Sequence, residues 1–186
     1  LLRQGGIGAK ANAAAPERAW VNTPLVTGSF GEQHLLRARV ALQYIGMLES
    51  AEAMYPMART DSQGDTLNGQ HAYQLRFAPG QLPPVNSFWS LTLYDSRDCM
   101  LVPNDIDRYA IGDRTPGLAR DADGGLTLHI AQQAPRDAAA RANWLPAPAG
   151  DFYLCLRAYL PKPEMVAGRY QLPALERLTV LTGDAA

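Results

Sequence analysis

The spacing of apolar residues between positions 29 and 56 predicts one amphipathic helix near the N-terminus. Ser29 and Glu32 have the spacing of a capping box, in which two side chains satisfy backbone N–H groups of the first helical turn. Pro56 would end the helix, because proline lacks the N–H that the helix needs. The apolar stripe repeats at steps of three and four residues and consists of Leu36, Val40, Tyr44, Met47, Ala51 and Met54.

After Pro56 the apolar period changes to two, which is typical of strands with one buried face. The alternation is clearest over 73–77, 88–94, 126–130 and 152–160, and a last strand is predicted over 175–181. In the strand over 152–160, apolar side chains occupy one face, and the other face carries Tyr153, Cys155, Arg157 and Tyr159. In the strand over 88–94, the face opposite the apolar one carries Phe88, Ser90, Thr92 and Tyr94.

These strands follow one another without alternating helices, which argues against a doubly wound parallel sheet. We predict a mainly β fold, an antiparallel, jelly-roll-like β-sandwich with one amphipathic N-terminal helix. Residues 1–28 are predicted to be a linker or the remnant of an upstream domain, and 29–56 the helix packed on the sandwich. The β-sandwich domain is predicted over 57–186.

The amino-acid composition and net charge argue against some classes of binding partner. The chain has 186 residues, of which 47% are hydrophobic and 19% charged, enough for a sizeable core in one domain. The formal net charge is -1 and there is no block of basic residues, which argues against a nucleic-acid or anionic-membrane partner. No apolar run approaches the roughly 18 residues of a membrane-spanning helix, so no membrane span is predicted.

Several strings between positions 83 and 161 carry a family resemblance. The strongest are Phe-Trp-Ser-Leu-Thr at 88–92 and Asn-Trp-Leu-Pro at 143–146, followed by Arg-Ala-Tyr at 157–159. With these strings the chain resembles the C-terminal domain of a mostly bacterial family of unknown function, DUF1214, which usually follows a second domain of unknown function, DUF1254. The resemblance implies a jelly-roll-like sandwich and an exported protein, periplasmic or secreted, and it implies no particular reaction.

The residue types that catalysis or metal binding needs do not occur at informative spacings. His34, His71 and His129 are scattered, and no Gly-x-Ser-x-Gly elbow is present. Asp61 and Asp65 flank a glycine in a loop without the acidic run and distal glutamate of an EF-hand, so we interpret this loop as a tight turn. Most other aspartates occupy predicted turns as well. We therefore predict no metal site and no cofactor, and assign no catalytic residues.

The two cysteines, Cys99 and Cys155, have no zinc-binding spacing. We interpret them as isolated thiols, and a disulfide between neighbouring strands stays open at this point.

A set of polar and aromatic residues gives the candidate ligand site. Arg157 and Tyr159 are two residues apart on a predicted strand, so they would share a face about 6.5–7 Å apart. Arg108–Tyr109 repeats the pairing, and Asn143–Trp144 in a proline-bounded segment offers an amide and a stacking surface. These six residues are the predicted ligand-binding residues. The structural alternative is an arginine paired with a turn aspartate, a tyrosine covering a sheet edge and a tryptophan filling the core.

Three functions follow from these features. The first is a domain of an exported bacterial protein that binds a small polar or anionic ligand. The second is a hydrolytic enzyme whose site is completed by an upstream domain. The third is an assembly module that forms a homo-oligomer, or contacts an upstream domain, through the helix and sheet edges.

Overall fold

The computed structural model describes residues 19–22, 25–44 and 46–178. Within them, strands dominate and form two sheets with a shared core. The strands are β1 Trp20–Val21, β2 Ala53–Met54, β3 Met57–Ala58, β4 Tyr73–Phe77, β5 Trp89–Asp95, β6 Ala110–Gly112, β7 Leu126–Ala131, β8 Trp144–Pro146, β9 Phe152–Tyr159 and β10 Leu175–Arg177. The helices are α1 His34–Gln43, α2 Ala138–Ala142 and α3 Pro163–Val166.

The larger sheet has six described strands in the order β1-β3-β9-β5-β6, with β2 also paired to β9. All of these pairs are antiparallel. The longest strands, β5 and β9, pair over their whole length and place Ser90 opposite Arg157. β2 and β3 lie along β9 in one continuous register, in which Met54 faces Ala158 and Met57 faces Cys155.

The smaller sheet has four described strands in the order β10-β4-β7-β8. Its β7–β8 pair is parallel, which differs from the purely antiparallel sandwich that the strand spacing predicts. The segment between these strands contains α2, which brings the chain back so that β8 begins beside His129 in the middle of β7, as a parallel connection requires. The Asp137 side chain caps α2 by accepting a hydrogen bond from the Ala140 N–H, so this helical turn begins with a conventional N-cap.

The core lies between the two sheets and follows the predicted alternation. Trp89 and Leu91 of β5 are buried, as are Phe152 and the other apolar residues of β9 up to Ala158. Edge-to-face contact between Tyr73 and Phe152, with ring centroids 5.9 Å apart, joins the smaller sheet to the larger one. The mainly β sandwich architecture is therefore confirmed, and the jelly-roll connectivity stays a prediction.

The N-terminal helix is much shorter than the segment predicted for it. α1 has no side-chain hydrogen bond at its N-cap, Gln33, so the predicted capping box does not form. Gly46 adopts a φ of 74°, a left-handed conformation that ends helices. Ala53–Met54, from the end of the predicted stripe, instead pair with β9 as β2. Spacings of three and four residues fit a helix, but pairing with a long neighbouring strand gives this segment backbone hydrogen bonds and burial.

Three further differences concern the ends of elements. Trp20–Val21, within the predicted linker, form β1 on the edge of the larger sheet. Leu160, predicted on the apolar face of β9, follows the end of that strand at a φ of 50° and is exposed. The predicted last strand begins as expected at Leu175, while residues 179–181 of that prediction lie outside the described residues. Among the described helices, none combines the length and apolar character of a membrane-crossing segment.

Candidate functional site

The structure separates the six predicted ligand-binding residues into two groups and one single residue, Tyr109. Arg108, Asn143 and Trp144 lie beside the smaller sheet, where their polar atoms bind the protein itself. The Arg108 guanidinium donates hydrogen bonds to the carbonyl oxygens of Ala142 (3.0 Å) and Trp144 (2.9 Å). The Trp144 indole N–H donates to the Ala131 carbonyl at 2.8 Å. These contacts hold the α2–β8 segment in place, a structural role in which Arg108 binds backbone carbonyls rather than the turn aspartate of the structural alternative.

Asn143 is the clearest structural residue of the set. It is 3% exposed, and its amide nitrogen donates to the carbonyl oxygens of Ala119 (2.7 Å) and Thr127 (2.9 Å). Its Oδ1 accepts the Ala119 N–H at 2.9 Å. Because both polar atoms of the side chain have protein partners, Asn143 acts here as a clamp between the 119 loop and β7.

Tyr109 donates a hydrogen bond to the Asp107 carboxylate at 3.2 Å. This hydrogen bond raises the pKa of the Tyr109 phenol, because the neighbouring carboxylate disfavours a phenolate. Tyr109 is therefore held by its own loop.

Arg157 and Tyr159 lie together on the solvent-side face of the larger sheet. The register of β5 and β9 places Thr92 opposite Cys155 and Tyr94 opposite Tyr153 on the same face. We define the arginine–aromatic face by the ten residues Arg59, Phe88, Ser90, Thr92, Tyr94, Arg114, Tyr153, Cys155, Arg157 and Tyr159. Sequence alternation identified the two half-faces of β5 and β9 separately, and the pairing of the two strands joins them.

The centre of the arginine–aromatic face is Arg157. Its guanidinium donates to the Thr92 hydroxyl at 2.5 Å and to the Tyr94 hydroxyl, and its side chain is half-buried. Burial acts to lower the pKa of this guanidinium, whereas the Tyr94 hydrogen bond acts to raise it, and the net direction is upward. Arg157 therefore stays charged, with two neutral hydroxyls as its hydrogen-bond partners.

Two aromatic stacks flank Arg157 along the strands. The Phe88 and Tyr159 rings are stacked with centroids 4.4 Å apart, and the Arg114 guanidinium lies 3.9 Å from the Phe88 centroid. At the other end the Tyr94 and Tyr153 rings are stacked with centroids 5.2 Å apart. Arg59 lies 4.3 Å from the Tyr153 centroid. Each stack therefore ends in an arginine held by a cation–π contact.

The arginine–aromatic face is positively charged. None of its ten residues is Asp or Glu, and three are arginines. Among residues 19–22, 25–44 and 46–178, the arginine–carboxylate ion pairs involve Arg76, Arg97 and Arg177, none of which belongs to this face. The three arginines of the face are consequently not neutralised by any carboxylate within that part of the chain.

The two cysteines do not form a disulfide. Both cysteines are free, with Cys99 exposed and Cys155 buried. Burial raises the pKa of Cys155, which keeps it a thiol. Burial also raises the pKa of Tyr153, and a hydrogen bond with Cys99 adds to this effect. Tyr153 is therefore a neutral phenol within its stack.

The remaining polar clusters do not suggest a metal centre. Among the described residues, no group of three or more His, Cys, Asp and Glu side chains has the arrangement of a metal site. Asp61 accepts the backbone N–H groups of Gln63 (2.9 Å) and Asp65 (3.0 Å) through one carboxylate oxygen, which confirms the predicted tight turn. Its other oxygen, Oδ2, is buried and has no hydrogen-bond partner among the described residues.

Two clefts lie away from Arg157. One, of about 370 Å³, is lined by uncharged residues that include Trp20, Met165 and Tyr170. The other, of about 200 Å³, lies beside α2 and includes His129 and Asp121. Neither contains a residue of the arginine–aromatic face.

A family model matches residues 52–163, which is more than half of the chain. The chain belongs to the family described as protein of unknown function, DUF1214. The matched segment includes all ten residues of the arginine–aromatic face. A preceding DUF1254 domain stays a prediction.

Two solved structures illustrate what the chain is similar to. The VPA0106 protein of Vibrio parahaemolyticus is 31% identical, with a TM-score of 0.66 over 77% of this chain and 35% of that protein. The DUF1214 chain thus spans about a third of that relative. A putative uncharacterized protein of Burkholderia cenocepacia is 14% identical, with a TM-score of 0.40 over 72% of this chain and 31% of that one. The curated proteins include no match.

Proposed function

We propose that this DUF1214 domain binds a small anionic organic molecule on its arginine–aromatic face, with Arg157 as the residue that holds the anion. The observation that carries the proposal is the half-buried guanidinium of Arg157, whose hydrogen-bond partners are the hydroxyls of Thr92 and Tyr94. A partly desolvated charge is ordinarily accompanied by an opposite charge. Since no carboxylate of the described residues supplies it, a ligand carboxylate would be favoured there.

The donor arrangement supports a carboxylate ligand. A guanidinium carries five N–H donors, and Thr92 and Tyr94 use two of them, leaving three for a ligand. The same two hydrogen bonds restrict rotation of the side chain, so less conformational entropy is lost when a ligand binds. The Ser90 hydroxyl lies opposite Arg157 in the β5–β9 register and adds a neutral donor beside the guanidinium.

Calorimetric titration with D-galacturonate, benzoate and sulfate tests this proposal. We expect the carboxylates to bind, and R157Q to weaken their binding by at least about tenfold, the effect of losing a charge-assisted hydrogen bond. The matched control is R76Q, which removes an equal charge from the outer face of the smaller sheet. Equal affinities of the original protein and R157Q, or no binding of any probe at millimolar concentration, would contradict the proposal.

Native mass spectrometry of the purified protein gives an independent readout. A co-purified anion that is retained by R76Q and lost from R157Q supports the same assignment. Export to the periplasm or beyond the cell and a homo-oligomeric state stay predictions of the sequence.

A further inference from the structure

The three arginines of the arginine–aromatic face follow a bent path that crosses the larger sheet diagonally. Arg59 contacts the ring of Tyr153, four residues from Arg157 along β9, and Arg114 contacts Phe88 on the far side of the face. With a rise of about 3.3 Å per residue and about 4.8 Å between strands, Arg157 is roughly 14 Å from Arg59 and 12 Å from Arg114. The two outer arginines are roughly 24 Å apart, which exceeds the reach of one small anion.

Two of the rings between these arginines, Phe88 and Tyr153, have close neighbours over both faces. Phe88 has the Arg114 guanidinium 3.9 Å from its centroid and the Tyr159 ring 4.4 Å from it. Two neighbours this close occupy opposite faces of one ring. Tyr153 lies in the same way between Arg59 and Tyr94. Phe88 and Tyr153 therefore offer little ring face on which a nucleobase or another flat aromatic ligand could stack.

The arginine–aromatic face has hydroxyl groups that are available to a ligand. The Ser90 and Tyr159 hydroxyls have no hydrogen-bond partner among the described residues. Both hydroxyl oxygens are accessible to solvent. Among the described residues, Asp61 Oδ2 is the buried side-chain oxygen or nitrogen that lacks a hydrogen-bond partner, so an unpartnered hydroxyl elsewhere is not buried. Solvent-accessible hydroxyls beside a guanidinium suit a ligand that carries both carboxylates and hydroxyls.

We propose that the arginine–aromatic face binds an extended acidic oligosaccharide, whose carboxylates reach Arg59, Arg157 and Arg114 together. This inference rests on the proposed function, since Arg157 supplies the central contact. Arg59 and Arg114 become specificity residues that distinguish a chain of uronate units from one unit. Their cation–π contacts hold both guanidinium groups near the rings, and each remains exposed to solvent.

Titration with galacturonate and with hexagalacturonate in low salt tests the oligosaccharide inference separately from the proposed function. We expect the hexamer to bind at least about a hundredfold more tightly, because the second and third contacts become intramolecular. The double variant R59Q/R114Q should remove this advantage, so that the ratio of the hexamer affinity to the galacturonate affinity falls to about sixfold or less. The control R120Q/R136Q removes the same charge from two other exposed positions and should change neither affinity.

The outcomes distinguish failure of the inference from failure of the proposed function. A hexamer advantage of no more than about sixfold, the gain from six equivalent units, overturns the inference, as does a hexamer affinity insensitive to R59Q/R114Q. If R157Q still weakens galacturonate binding in that case, the proposed function stands. If R157Q affects neither ligand, both fail. Tighter binding of a six-nucleotide oligothymidylate than of hexagalacturonate overturns the saccharide class.

Discussion

The two solvent-facing sides of the sandwich use arginine in opposite ways. On the smaller sheet, Arg76 of β4 lies 3.4 Å from the Asp121 carboxylate and also pairs with Asp123, so its charge is neutralised by aspartates of the loop that precedes β7. On the larger sheet, Arg157 of β9 donates to two hydroxyls. Arginine is thus neutralised by ion pairs on one side of the sandwich, and on the other side it keeps its charge.

The difference arises from what lies beside each arginine. The loop that precedes β7 contains aspartates that form a turn and also reach Arg76. The strand next to β9 offers Ser90, Thr92 and Tyr94, which stabilise a guanidinium without cancelling its charge. An uncancelled charge on a rigid sheet is available to a partner, and this separates the face that we assign to binding from the one that we assign to stability.

The largest expected effect is on the structural side of this comparison. N143A removes an amide that holds the 119 loop to β7 and leaves buried backbone groups without partners. We expect the free energy of unfolding to fall by about 2–4 kcal/mol, measured by denaturant titration. N86A, at an exposed asparagine, is the control and should change stability by less than about 0.5 kcal/mol. A loss of galacturonate binding by folded N143A without loss of stability would show that Asn143 belongs to the ligand site.

A second substitution adds a carboxylate to the arginine–aromatic face, so that the protein itself would neutralise Arg157. S90D places a carboxylate directly opposite Arg157 in the β5–β9 register. We expect this cross-strand pair to raise the free energy of unfolding by about 0.2–1 kcal/mol at low salt and to abolish galacturonate binding. S90N has nearly the same shape as S90D but lacks its charge. We therefore expect S90N to show no gain in the free energy of unfolding and to keep most of the galacturonate binding. Undiminished binding by S90D would place the anion elsewhere.

The smallest effect concerns pH and the smaller sheet. Burial lowers the pKa of His129 below its ordinary value, although Asp121 and Asp137 oppose the shift. The unfolded chain then binds more protons at this position, so the free energy of unfolding falls as the pH drops through about 6.5. We expect H129Q to flatten the pH dependence of the melting temperature between about pH 7 and 5. H34Q, at an exposed histidine, should keep the original slope; equal slopes for H129Q and the original protein would refute the assignment.

Local pattern predicted the strands better than it predicted the helix. In β5 and β9 the period of two placed each side chain on its correct face, because alternation is a property of an extended backbone alone. The stripe from Leu36 to Met54 has helical spacing, yet its end forms β2. Pairing with β9 decided that outcome, and β9 lies about a hundred residues further along the chain.

The candidate site was recovered only in part for the same reason. Alternation within β9 was sufficient to place Arg157 and Tyr159 together. It gave no indication that Arg108 and Asn143 would bind backbone groups beside the smaller sheet. Nor did it show that Thr92, 65 residues before Arg157, would be its hydrogen-bond partner. Side-chain partners across strands depend on register, which is set by packing of the whole sheet.

The sequence by itself determined the β-rich character, the face that each long strand turns to the core, the DUF1214 resemblance and the scarcity of catalytic motifs. Tertiary structure decided which strands are neighbours, and with that which arginines are neutralised. Arg76 and Arg157 are both arginines on the outer face of a strand, so sequence pattern treats them alike. Aspartates from one turn reach Arg76, whereas the hydrogen-bond partners of the Arg157 side chain among the described residues are two hydroxyls, because charge cancellation depends on distances that the fold alone establishes.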